Sequence, residues 1–258
     1  MMNPMVSVTK NLKSALCFLL FFVILNPSME AQSASELLIS MDELMSAPQD
    51  KEAKVKMVLT DKSGKEKVRE AVLIQKGRYK KLYRYTQPEK QAGIATLSLP
   101  DDKMWMYMPA FGKPIKISLL SKSQAFTGTD FSYEDMTGTS YSDRFTPGIV
   151  ENPNPDIVQL ELMPMSMKSR YSKIIVYLNR KHRYPEKMEY FDDNKEYFKY
   201  ATYKYVKQGK YWYAQEVVMT DIKKEHSTSI FLSDMKFDQG ISDDIFTVEN
   251  LEAGKSSE

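Results

Sequence analysis

Cysteine is nearly absent from this chain: one residue in 258, Cys17, which sits inside an apolar run near the N-terminus. If that run is a removed leader, the remainder holds no thiol. Disulfides, thiol nucleophiles and cysteine-ligated metals are then excluded. Histidine is scarce too. His182 lies in Asn179-Arg180-Lys181-His182-Arg183 and His226 in Lys223-Lys224-Glu225-His226, both charged turn sequences. Neither fits an HExxH metal spacing, and the chain has no GxSxG elbow and no glycine-rich phosphate loop. The acidic pairs Asp101-Asp102, Asp192-Asp193 and Asp243-Asp244 fall at predicted turns, where Asp is favoured by side-chain bonds to nearby backbone. The reading is therefore a non-enzyme, with no catalytic residue, no cofactor and no metal ligand assigned. An excess of one charge is missing as well. The chain has 36 Lys and Arg against 34 Asp and Glu, with no concentrated basic block. Nucleic acid is not an expected partner.

Long hydrophobic runs are missing except for one. Ala15 to Leu25, preceded by Lys10 and Lys13, is uninterrupted and apolar. It is shorter than the roughly 20 residues that span a bilayer and matches the core of an export signal. Asn26-Pro27-Ser28 ends it, and small residues follow at Ala31, Ser33 and Ala34. Residues 1–31 are expected to be a signal peptide, cleaved after Ala31 or near Ser33. An uncleaved anchor is the other possibility. Leu16 before Cys17, and the apolar residues after it, argue against a lipid-modified cysteine. Residues 32–258 are then expected to form one soluble domain in the exported compartment.

What is present is alternation. Ser33-x-x-Glu36 has the form of a capping box. Leu37, Leu38, Met41, Leu44 and Met45 follow it at helical spacing, and Pro48 stops the pattern. A helix over Ser35–Ala47 is predicted. Beyond it the period is two. Val55, Met57 and Leu59 share a face, as do Leu97 and Leu99, and Met104, Met106 and Met108 alternate with Trp105 and Tyr107. Further strands are predicted near 65–76, 78–86, 115–119, 157–163, 173–179, 185–191, 196–206, 211–220 and 226–237, with a hairpin turn at Asp61-Lys62-Ser63-Gly64. With no βαβ rhythm, the expected fold is mainly β. It is one large curved antiparallel sheet with an N-terminal amphipathic helix over its apolar face. Asn152-Pro153-Asn154-Pro155 reads as a loop between two parts of that sheet, or else as a domain break.

One amphipathic helix covers only part of such a face, and an incompletely filled concave face is a hydrophobic binding site. Leu37, Met41 and Leu44 on the helix, and Met57, Leu59 and Leu97 on the strands, are candidates to line it. Phe126, Phe131 and Tyr133 would anchor the loop Thr127-Gly128-Thr129-Asp130, either as a structural plug or as a ligand gate. Thr129 or Asp130 is expected to cap a helical turn there. Of the two faces of 104–108, the aromatic one is favoured as pocket rim. Trp105 and Tyr107 combine a large apolar body with a polar tip.

The segment from Lys103 to Met136 carries a resemblance. Its Met104-Trp105-Met106-Tyr107-Met108-Pro109 block and its TGTDFSYEDM block, 127–136, resemble the outer-membrane lipoprotein-sorting family, which is similar to LolA-type periplasmic carriers. The resemblance runs from Glu36-Leu37-Leu38 towards the C-terminus. The family implies a half-barrel closed by helices over a cavity that shelters acyl chains. This chain departs from it in showing few helical segments after the first. It also implies a periplasmic carrier of lipoprotein acyl chains or related lipids. An inner-membrane transporter would be the donor and an outer-membrane protein the acceptor, with peripheral membrane contact. A lipid- or lipoprotein-sensing module that binds a membrane protein is the alternative.

Overall fold

Strands of 4 to 12 residues with one apolar face pair most cheaply with their sequence neighbours, and among the described residues this chain does so with a single break in mid-chain. The computed structural model describes residues 33–118, 124–167 and 169–253. The leader assigned to residues 1–31 lies outside them. Among the described residues the strands are β1 (Asp50–Thr60), β2 (Glu66–Lys76), β3 (Lys80–Gln87), β4 (Ala95–Leu99), β5 (Lys103–Met108), β6 (Lys113–Lys116), β7 (Phe145–Val150), β8 (Ile157–Pro164), β9 (Lys173–Asn179), β10 (Pro185–Phe191), β11 (Tyr197–Gln208), β12 (Tyr211–Asp221) and β13 (His226–Phe237). They form one curved, open antiparallel sheet in the order β6-β5-β4-β3-β2-β1-β13-β12-β11-β10-β9-β8-β7.

That order has a direct consequence. The chain walks outward from β1 to the β6 edge, then reappears at the opposite edge as β7 and walks back until β13 pairs with β1. The connection 117–144 therefore has to travel from one edge of the sheet to the other. Its described residues do so across the concave face. Arg69 of β2 donates to the Thr127 carbonyl at 2.7 Å, the Asp130 amide donates to Thr228 of β13 at 3.1 Å, and Lys199 of β11 pairs with Asp135 at 2.8 Å. The TGTDFSYEDM block is this crossing. Its helical turn, α2 (Tyr133–Met136), is capped by Ser132 in a reciprocal box with Asp135, rather than by Thr129 or Asp130. Thr129 instead folds its hydroxyl back on the Phe126 carbonyl at 2.8 Å. Gly138 rests on the β2–β3 turn, where a Cβ would stand 2.5 Å from the Tyr79 carbonyl oxygen. A side chain at this position would push the crossing off the sheet.

The N-terminal helix α1 (Ala34–Ser46) starts one residue earlier than predicted, and the Ser33–Glu36 capping box is formed in both directions. It packs against β7 and β12. Leu37, Leu38 and Met41 are buried by it, and so is Asp42. Asp42 accepts the Tyr141 and Ser142 amides at 3.0 and 2.8 Å, which ties the helix to the end of the crossing.

Two elements were not read from the sequence. Strand β7 holds Pro147 and Gly148, which break a strand pattern but are tolerated on an edge strand. A second helix, α3 (Val248–Ala253), follows a 3-10 turn over Asp243–Phe246. It covers the opposite face of the sheet, where Phe246 and Leu251 pack with Ile74, Leu82, Ala95 and Leu97. The Asn152–Pro155 loop joins β7 to β8 within the one sheet.

Candidate functional site

The cover on the concave face is incomplete. Between the C-terminal end of α1, strands β1–β3, the crossing and strands β10–β13 lies a cavity of about 230 Å³. Leu44 and Met45 enter it from the helix, Phe131 and Met136 from the crossing, Leu73 and Tyr83 from one wing of the sheet, and Val217, Met219 and Ile230 from the other. Tyr203, Tyr205 and Trp212 complete the wall. Their rings are held by stacking: Tyr184 lies parallel to Tyr205 at 4.4 Å, and His182 sits 4.8 Å from Trp212. Burial pushes the phenol of Tyr141 up to about 12 and holds those of Tyr190, Tyr203 and Tyr205 well above their ordinary range, so these walls carry neutral hydroxyls at neutral pH.

The crossing is locked behind the cavity by a buried polar cluster. Asp135 takes the Lys199 ammonium at 2.8 Å, the Tyr171 hydroxyl at 2.7 Å and the Ser132 amide at 2.7 Å. Burial opposes the Asp135 charge. The nearby Lys199 charge and these hydrogen bonds outweigh it and hold the carboxyl below its ordinary range. For Lys199 burial is the larger effect and lowers its affinity for the proton, with Asp135 offsetting part of that. Nearby, Glu134 pairs with Arg144 at 3.3 Å and accepts the Arg170 amide at 3.0 Å.

Polar groups also reach the cavity wall. Lys51, Gln75 and Lys81 line it, together with Arg78 and Arg144. Lys51 donates to the Met45 carbonyl at 3.1 Å and Lys81 to the Thr137 carbonyl at 3.2 Å. Burial, reinforced by the charge of Lys81, pushes Lys51 down to about 7. Burial and the charge of Arg144 push Lys81 down to about 8. Among the described residues no group of three or more His, Cys, Asp or Glu is placed to hold a metal ion.

Of the residues singled out from the sequence, Leu44 and Phe131 line the cavity. Leu37, Met41, Met57, Leu59, Phe126 and Tyr133 lie in the same buried cluster of the concave side, packed beneath α1 and the crossing. Leu97, Trp105 and Tyr107 belong to the second cluster, on the other face. This corrects the choice of face for 104–108. Trp105 pairs with Leu97 and Tyr107 with Ala95 on the side that α3 covers, while Met104 is buried on the concave side with Met106 packed beside it. The cover that the aromatic face required is the C-terminal segment. The lysines and Gln75 were missed, although a signal existed. On β1, β2 and β3 each of them occupies the parity of the apolar residues, in line with Val55, Leu73 and Tyr83 respectively.

A family model described as "Uncharacterized protein" matches residues 77–253. No curated protein matches the chain. Solved structures do. An outer membrane lipoprotein-sorting protein domain, so assigned, from Vibrio parahaemolyticus is 26% identical, with a TM-score of 0.78 over 85% of this chain and 98% of that one. A DUF1329 family protein from Desulfovibrio piger is 22% identical, with a TM-score of 0.77 over 84% and 97%. A LolA superfamily protein from Nitrosomonas europaea is 23% identical, with a TM-score of 0.71 over 84% and 98%. The chain belongs to the family whose model spans residues 77–253, and its fold is LolA-like.

Proposed function

We propose that the protein is a periplasmic carrier that shelters acyl chains, from lipoproteins or related lipids, between the concave sheet and its two covers, α1 and the crossing. The observation that carries this reading is the cavity itself, an apolar space left where a short helix and a crossing segment fail to fill the concave face. Each methylene moved there from water contributes about 0.8 kcal/mol. At about 230 Å³ the space is smaller than the roughly 300–1,000 Å³ of small-molecule sites, so a long chain enters by displacing a cover. The end of α1 suits that role. Leu44, Met45 and Ser46 are only half-buried, while Leu37, Leu38 and Met41 are held firmly.

Delivery to the compartment rests on residues 1–31 acting as a cleaved leader. Among the described residues no helix is long and apolar enough to cross a membrane. Loading by an inner-membrane transporter and handover to an outer-membrane acceptor belong to the same proposal.

Native mass spectrometry of the protein purified from its own cell envelope tests it. A co-purified acylated species, and a chain beginning near Gln32 or Ala34, are the expected results. Folded protein that carries no lipid and binds no fluorescent fatty acid removes the carrier reading. A membrane protein retained on such lipid-free material favours a sensing module instead.

A further inference from the structure

One row of side chains does not fit the apolar character of its wall. Lys51 pairs with Gln75 across β1 and β2, and Gln75 pairs with Lys81 across β2 and β3, so the three stand side by side on the concave face. All three line the cavity. Their hydrogen-bonding groups are donors or, in Gln75, a neutral amide. Among the described residues neither ammonium has a carboxylate partner; each has one backbone carbonyl, from Met45 and from Thr137. The two acids on the cavity wall are already engaged. Asp42 holds the Tyr141 and Ser142 amides, and Asp135 holds Lys199. Arg144 is paired with Glu134, and Arg78 adds a further positive charge. The wall is thus apolar and locally cationic. Two half-buried ammonium groups with only a carbonyl each are poorly compensated, and an incoming anion relieves that cost.

We infer that the cavity holds an anionic single-chain amphiphile, with its carboxylate or phosphate head between Lys51 and Lys81, beside Gln75, and its chain against Leu44, Met219 and Ile230. This rests on the acyl-carrier reading and narrows its cargo. The diacylglyceryl thioether and amide of a lipoprotein N-terminus carry no ionised group, so they leave this row uncompensated. The head also acts on the covers. Lys51 bonds the last turn of α1 and Lys81 bonds the crossing, so an anion held between the two ammonium groups is coupled to both covers.

Binding should therefore depend on pH. Lys51 and Lys81, held near 7 and 8, lose their charge as pH rises. The other titratable groups on the wall are Asp42 from α1, Arg78 from the β2–β3 turn, Tyr83 from β3, Asp135, Tyr141 and Arg144 from the crossing, Tyr190, Tyr203 and Tyr205 from β10 and β11, and Tyr213 from β12. Asp135 remains ionised, and burial keeps Tyr83, Tyr141, Tyr190, Tyr203 and Tyr205 neutral, between pH 6.5 and 9.5.

Calorimetric titration of the purified full-length protein with dodecanoate, dodecyl phosphate, dodecanol and inorganic phosphate, at pH 6.5 and 9.5, tests the inference. At pH 6.5 one or both anionic amphiphiles should bind at least tenfold tighter than dodecanol, and the tighter of the two identifies the head. The advantage should shrink to less than threefold at pH 9.5. Lys51→Met and Lys81→Met should remove it at both pH values while dodecanol binding persists, with Lys51→Gln and Lys81→Gln as replacements should a Met variant misfold. Equal binding of dodecanol and both anions, unchanged by the variants, overturns the head site and leaves the carrier reading intact. Inorganic phosphate binding as tightly as dodecyl phosphate overturns the amphiphile. Failure of every ligand, dodecanol included, removes the carrier reading and this inference with it.

Discussion

At the scale of single residues, the most consequential side chain is Lys199. Its side chain is 1% exposed and its partner Asp135 is 6% exposed. The ammonium also lies 4.9 Å from the ring centroids of both Tyr171 and Tyr190. Removing one member of a buried pair leaves an uncompensated charge and costs about 3–5 kcal/mol. Lys199→Met is expected to lose that much in urea denaturation at pH 7. The sign with pH follows from Asp135. In the native protein its carboxyl is held below the ordinary value, so the stability it contributes is present above about pH 4 and fades as pH falls further. Without Lys199, burial dominates and raises that carboxyl, so the variant regains stability as the acid takes up its proton. The deficit should therefore be smaller at pH 4 than at pH 7. An equal deficit at both values would mean that Asp135 does not depend on Lys199. None of this was legible in the sequence. The partners are 64 residues apart and meet only because the crossing passes over β11.

At the scale of elements, legibility followed how local the cause is. The capping box of α1 and the period-two strands are written in adjacent residues, and both formed. Strand β7 was hidden by Pro147 and Gly148, whose effect depends on its being at the edge of the sheet, a fact of topology. Helix α3 is short, and its reason to exist is the apolar face presented by Leu82, Ala95 and Leu97. For α1 the two ends now have different tasks. Met41 is fully buried and Leu44 lines the cavity. Met41→Asp places a carboxylate where it has no partner, at a cost of several kcal/mol, and should lower the melting temperature markedly. Leu44→Asp should leave the fold close to wild type and weaken a fluorescent fatty-acid probe at least tenfold. Calorimetric melting with probe titration separates the two. Equal loss of stability in both variants, or unchanged probe affinity in Leu44→Asp, would show that the end of α1 does not border the ligand.

At the scale of the whole molecule, one sheet presents two apolar faces with different covers. The concave face has α1 and the crossing and leaves a cavity. The opposite face has the C-terminal segment over Leu97 and Trp105. The curved sheet and its helix were legible because most strands advertised one apolar face. Which face a given strand turns inward was not, because Met104–Met108 is apolar on both sides. The two tryptophans of the chain, Trp105 and Trp212, happen to report on the two faces separately. Trp212 lines the cavity, and Trp105 packs in the second cluster. A brominated acyl chain quenches indole emission only at short range. It should quench the wild-type protein saturably, and Trp105→Phe, with Trp212 as sole reporter, should keep that response in full. Trp212→Phe, with Trp105 as sole reporter, should bind the same ligand by calorimetry while its emission stays unquenched. Quenching confined to Trp105 would place the acyl chain under α3, on the face that the cavity does not reach, and Leu97 and Tyr107 would then become its lining.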